Sequence, residues 1–129
     1  MCHIFSNIDP KRYAYDTRSV RLSGHVTSIR LEAAFWQILE EIAASQDVSV
    51  GRLLTRLHDE VLDFEGEPNN FTSLLRCACL TYAADVRGHA AAASELQREA
   101  RRDFALVGKS SSPARRVVAH YYPFLRSAT

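Results

Sequence analysis

The sequence predicts a mainly α-helical protein that works as a homodimer, with one short N-terminal β-strand per chain. Three observations lead there. From His25 to Trp36 the apolar period changes from two to about three and a half within a dozen residues. The residues behind that stretch read as capped amphipathic helices, with no further strand. A lone strand leaves its backbone donors and acceptors unpaired, so its natural partner is a copy of itself.

In the strand, Thr27, Ile29 and Leu31 share one phase, and Val26, Ser28 and Arg30 share the other. The first phase is the apolar one and is expected to face the core. Upstream, Arg18 to Leu22 also alternates and can extend the strand, with Ser23-Gly24 as a bulge or turn between them. Residues 1–17 read as an irregular arm interrupted at Pro10, with Tyr13 and Tyr15 packing on the domain.

The first predicted helix runs from about Glu32 to Ser45, with Phe35, Ile38, Leu39, Ile42 and Ala43 as its apolar stripe and Trp36 off it. Ser49 is a good N-cap for the second, which buries Leu53, Leu54, Leu57 and Val61 and ends near Asp63. Glu65 to Asn70 is the clearest loop. Asn70 is expected to cap a third helix, about Phe71 to Arg87, with Phe71, Leu74, Leu75, Ala78 and Tyr82 inward and Gly88 after its end. Residues 89–107 read as a fourth helix with a thin stripe of Leu96, Ala100, Phe104 and Val107. Lys109 to Pro113 is a linker to a basic, aromatic tail. The expected organisation is an arm at 1–17, a domain at 18–87 and a helical extension with tail at 88–129.

At 129 residues, 47% of them hydrophobic, the chain can build one packed core. No apolar run is long enough for a membrane helix and no signal-peptide core is visible, so a soluble cytoplasmic protein is expected. The net charge of +1 hides a segregation. Residues 1–30 carry +3, residues 31–68 carry −7, and residues 69–129 carry +5. That pattern permits local polyanion binding at the strand end and departs from a uniformly basic nucleic-acid binder.

Little suggests an enzyme. The five histidines, at 3, 25, 58, 89 and 120, fall at no metal-ligand spacing with cysteine or carboxylate. No phosphate-cradling glycine loop and no nucleophile elbow occurs. His58-Asp59-Glu60 reads as a solvated helix face. Cys77 and Cys79, two apart on a helix, read as buried cysteines of a reducing compartment rather than a disulfide. No cofactor and no metal is expected.

The run Gly24-His25-x-Thr27-Ser28-Ile29-x-Leu31-Glu32-x-x-Phe35-Trp36, followed by Arg76 in the third predicted helix, resembles the ribbon-helix-helix (MetJ/Arc-like) DNA-binding family. It looks most like a bacterial subgroup with an extra C-terminal helix. The resemblance covers about residues 18–86 and implies an intertwined homodimer whose strands pair as a ribbon that enters the major groove of double-stranded DNA. Ile29 and Leu31 would lie under the ribbon, while Val26, Ser28 and Arg30 would face base edges. Ser49, Val50, Gly51 and Arg52 would hold a phosphate at the start of the second helix. Arg18, Arg21 and His25 would reach neighbouring phosphates.

The implied function is sequence-specific DNA binding, as a transcriptional regulator. The rival is a dimeric protein-interaction module, antitoxin-like or an adaptor, that uses the third helix or the tail and lacks strong DNA binding. The −7 block weighs toward the rival, because affinity for DNA rests largely on neutralised phosphates. Arg56 is expected to be spent on ion pairs with Asp59 or Glu60.

Overall fold

The computed structural model describes residues 3–66 and 69–105, with side chains to residue 102. The elements run α1 (His3–Ser6), α2 (Pro10–Tyr13), β1 (Tyr15–Leu22), β2 (His25–Glu32), α3 (Ala33–Ser45), α4 (Val50–Glu65), α5 (Phe71–Thr81), a π-helical turn (Tyr82–Val86) and α6 (Ala90–Ala105). The mainly α-helical class holds. Among the described residues, no helix is long and apolar enough to cross a membrane.

The strand count is corrected. Among the described residues the chain has two strands, and β2 finds its partner within the chain: β1 pairs with it antiparallel, from Leu22 opposite His25 to Tyr15 opposite Glu32. The two residues left over, Ser23 and Gly24, both have positive φ, 50° and 79°. That is the type I′ pattern, whose twist matches a two-residue hairpin, and it explains a glycine at the second position. Pairing continues one step further, where the Ala33 N–H donates to the Ala14 carbonyl at 2.9 Å.

The arm is also more regular than expected. Asp9 caps α2 by accepting from the Lys11 N–H at 3.0 Å, and Pro10 sits at the first helical position, where its missing N–H costs nothing. Tyr13 and Tyr15 are exposed rather than packed on the domain.

The hairpin lies with one face on the helices. Val20 and Leu22 from β1 join Ile29 and Leu31 from β2, and these four pack with Trp36, Leu39, Ile42, Leu54, Leu75 and Cys79 in one core. Trp36 belongs to its centre rather than to its margin. It is 1% exposed, and its Nε1–H donates to the Asp16 carbonyl at 2.8 Å, which ties α3 to the start of β1. Phe35 and Ile38, two members of the expected apolar stripe, are only partly covered.

The caps fall where the sequence places them. Ser49 Oγ accepts from the Arg52 N–H at 3.2 Å, and Asn70 Oδ1 from the Ser73 N–H at 3.1 Å. Helix α4 runs to Glu65 and stops at Gly66, whose φ of 81° suits a residue without a Cβ. The third helix keeps α-helical geometry only to Thr81 and continues as the π-helical turn. Cys79 is buried, which pushes its thiol up to about 12, whereas Cys77 is exposed. Helix α6 buries Ala100. Phe104, Val107 and the expected linker and tail at 109–129 lie outside the residues whose side chains are described.

His58 departs from the solvated reading. It is buried, its Nδ1 lies 3.4 Å from Ser23 Oγ, and its ring meets Phe71 edge to face with centroids 5.1 Å apart. Helix α4 thereby supports the hairpin turn from below. One turn earlier on the same helix, Thr55 Oγ1 donates to the Arg21 carbonyl at 2.6 Å.

Candidate nucleic-acid interface

The alternation of a strand, combined with the register, fixes which side chains leave the core. On the outer face the cross-strand pairs are Arg21–Val26, Ser19–Ser28, Thr17–Arg30 and Tyr15–Glu32. Thr17, Ser19, Arg21, Val26, Ser28 and Arg30 are all exposed. Val26 is 66% exposed, uncommon for a branched aliphatic residue with a core directly beneath its strand. The three residues expected to face bases, Val26, Ser28 and Arg30, thus share one open face. At about 3.3 Å per residue they span about 13 Å. The facing residues of β1 double that surface: Thr17 and Ser19, which the sequence does not single out, and Arg21, expected only as a flanking phosphate contact.

Two of the arginines expected near phosphates behave differently. Arg21 is on the outer face and exposed. Arg18 is on the inner face, opposite Ile29, where its guanidinium contacts Glu40 at 2.8 Å and Asp16 at 3.2 Å. It also lies 4.6 Å from the centre of a Trp36 ring. Burial works against its charge, but the two carboxylates outweigh burial and raise its pKa above the ordinary value. Arg18 therefore serves the joint between hairpin and α3. His25 is exposed beside the hairpin turn.

Arg30 has a different neighbour. Its guanidinium carbon stands 4.1 Å from the centre of the Tyr15 ring, within the range of a cation–π contact. Tyr15 is itself 56% exposed, so the pair sits open at the end of the ribbon.

At the start of α4, Ser49 satisfies the Arg52 amide, and the Val50 and Gly51 amides precede the first carbonyl that a helix could offer them. A Cβ added at Gly51 would meet nothing within 4 Å, so its surroundings are open. The same Thr55 hydroxyl, which holds the β1 edge, lies 2.9 Å from the Gly51 carbonyl. This places the helix start one turn from the contact with the hairpin. A cavity of about 360 Å³ beside it is lined in part by Asp47, Arg52, Gln97 and Arg101, which brings α6 up to the α3–α4 turn.

The acidic block is largely accounted for by pairing and position. Glu32, Glu40, Glu41 and Glu60 face Arg76, Arg18, Arg87 and Arg56 across salt bridges of 2.9, 2.8, 2.9 and 3.5 Å. Asp59, Asp63 and Glu65 fall in the second half of α4, whereas Arg52 and Arg56 are in its first half. The acid of α4 is thus concentrated away from its N-terminus. Among the described residues, no cluster of histidine, cysteine and carboxylate is arranged to hold a metal ion.

The family model of the ribbon-helix-helix domain matches residues 15–83, from the first residue of β1 into the π-helical turn. The solved structure of an uncharacterized protein from Bordetella pertussis Tohama I is similar, with a TM-score of 0.64 and 42% sequence identity. The match covers 72% of this chain and 85% of that one. Among curated proteins, none matches.

Proposed function

The chain belongs to the ribbon-helix-helix family, and on that premise we propose that it is a sequence-specific binder of double-stranded DNA, a transcriptional regulator acting as a homodimer. The observation that carries this reading is the outer face of the hairpin, where polar and basic side chains stand exposed on a rigid support. The major groove is about 12 Å wide and admits a two-stranded ribbon. Arg30 grips guanine O6 and N7 with its forked donors, Ser28 donates to or accepts from a base edge, and Val26 meets a thymine methyl. Phosphates are held by the amides of Val50 and Gly51 at the positive end of α4, with Ser49 as its cap and Arg52 adding charge. Arg21 and His25 serve phosphates along the flanks. The expected location is the bacterial cytoplasm, where such DNA lies.

The homodimer has its own support. A two-residue turn makes Leu22–His25 a hydrogen-bonded pair, so every second pair below it is hydrogen-bonded too. The backbone groups of Val26, Ser28 and Arg30 then point away from β1, along the other edge of β2. On the far edge of β1 the Arg21 carbonyl is taken by Thr55. Pairing β2 with β2 of a second copy about a two-fold axis at Ser28 sets Val26 opposite Arg30, so no like charges meet. The half-buried Phe35, Ile38, Leu53 and Leu57 offer apolar surface for the same contact.

The test is binding to a randomised duplex pool, then to a selected duplex at two salt concentrations. Log affinity should fall linearly with log salt, by roughly 0.9 per phosphate neutralised. Arg30→Ala should cost about 1–3 kcal/mol and relax the preference at one base pair. No binding at low salt would reject this reading in favour of the protein-interaction module.

A further inference from the structure

We infer that Tyr15 is a positioning residue for base recognition: its ring face holds the Arg30 guanidinium ready to grip guanine in the major groove. The inference rests on the DNA-binding reading above. Three observations carry it. The guanidinium of Arg30 lies 4.1 Å from the centre of the Tyr15 ring. Both residues belong to the outer face, Tyr15 one step along it from Thr17, which stands opposite Arg30. The carboxylate nearest in the register is Glu32, two residues from Arg30 and directly opposite Tyr15, and it is already taken by two hydrogen bonds from Arg76.

The last point decides where Arg30 can go. A free carboxylate at position 32 would draw the guanidinium by a charge-assisted, two-pronged bond stronger than stacking. With Glu32 committed to Arg76, the aromatic face remains. Stacking occupies the flat face of the guanidinium and leaves its N–H edge free, and that edge is what guanine O6 and N7 require. An arginine already stacked loses less side-chain freedom on binding than one swinging in water. Tyr15 therefore favours guanine in particular at the position read by Arg30.

The test uses the full chain and a duplex selected by it from a randomised pool. The guanine read by Arg30 is the position at which Arg30→Ala loses its preference. Affinities are compared on that duplex and on one carrying 7-deazaguanine there, which lacks the N7 acceptor. Tyr15→Leu, which keeps apolar bulk, should weaken binding to the guanine duplex roughly two- to fivefold, in proportion to an exposed cation–π contact. It should change little on the 7-deaza duplex or in the Arg30→Ala background. Tyr15→Phe should bind like the natural chain. Equal losses on both duplexes, or a phenylalanine variant as impaired as the leucine one, would overturn the inference while leaving the DNA reading in place. A natural chain that selects no duplex would overturn both.

A measurement without DNA closes the remaining gap. In NMR spectra of the free protein, the Arg30 Hε should be shifted upfield by the ring and should move downfield in Tyr15→Leu. An unmoved resonance would refute the stacking itself.

Discussion

Arg76 holds Glu32 with two parallel hydrogen bonds, Nε to Oε2 and Nη2 to Oε1, both 2.9 Å long. Glu32 is the last residue of β2 and the N-cap position of α3, and it makes no side-chain bond to its own helix. The clamp thus fastens the point where strand becomes helix to α5, forty-four residues away in sequence. The hydrogen bonds from Arg76 hold the Glu32 carboxyl below its ordinary value of 4.5, against the opposing effect of burial. A depressed carboxylate pKa contributes stability above the ordinary value, and that stability is lost as pH falls below it.

The first prediction follows from that sign. Glu32→Gln and Arg76→Gln should each lower stability at neutral pH by about 1 kcal/mol, a figure moderated by partial exposure of the pair. The double variant should lose less than the sum. Denaturant melts at descending pH should show the advantage of the natural chain over Glu32→Gln shrinking below about pH 4.5. An advantage that held constant with pH would show that the clamp is not the source.

The hairpin turn gives a second prediction. Ser23 and Gly24 both occupy the left-handed region, and a Cβ at Gly24 would touch nothing. The cost of Gly24→Ala is therefore purely conformational, about 1 kcal/mol. Asparagine tolerates that region far better than alanine, so Gly24→Asn should melt closer to the natural chain. Equal losses for the two would mean that something other than backbone strain sets the cost.

Gly51 supplies a prediction with opposite signs for stability and binding. It lies in the first turn of α4, leaves an added Cβ with nothing within 4 Å, and does not have a positive φ. Gly51→Ala should stabilise the fold by about 0.5–1 kcal/mol by restricting the unfolded chain. It should weaken DNA binding, because the new methyl stands where a phosphate would approach the helix amides. Thermal melts and anisotropy titrations on one preparation suffice. A gain in both would remove the α4 start from the interface.

What the sequence disclosed and what it withheld have physical causes. The caps at Ser49 and Asn70 and the inward Ile29 and Leu31 are local signals, and they were legible. The strand β1 was half legible. Its upper part alternates, but Asp16 and Arg18 stand on the inward phase of its lower part. Those polar positions are tolerated because Trp36 bonds the Asp16 backbone and Glu40 neutralises Arg18, contacts no periodicity reveals. His58 looks solvated beside two acids, although it falls four residues after Leu54 on the buried stripe; Ser23 and Phe71 complete its burial from distant parts of the chain. Trp36 widens the expected stripe on the side of Leu39 and Ala43, and the helix buries that side rather than the side of Phe35 and Ile38. The outer-face residues Val26, Ser28 and Arg30 needed only the phase of one strand. Their neighbours Thr17 and Ser19 needed the hairpin, as did the position of Arg21 opposite Val26.

The proposed homodimer yields the sharpest remaining prediction, because the register separates two kinds of backbone site. The N–H of Ser28 points out of the hairpin, whereas that of Ile29, opposite Arg18, points into it. Proline removes an N–H and is accepted in strands at outward-facing edge positions. Ser28→Pro should therefore keep the hairpin and its helix content by circular dichroism, yet abolish pairing between copies. Sedimentation at micromolar concentration should show the natural chain as a dimer and Ser28→Pro as a folded monomer. Ile29→Pro, which strips a bond from the hairpin and a side chain from the core, should unfold the chain. A Ser28→Pro protein that stays dimeric would move the interface from the β2 edge to the half-buried stripe of Phe35 and Ile38 on α3. In that arrangement each chain would carry its own two-stranded ribbon to DNA.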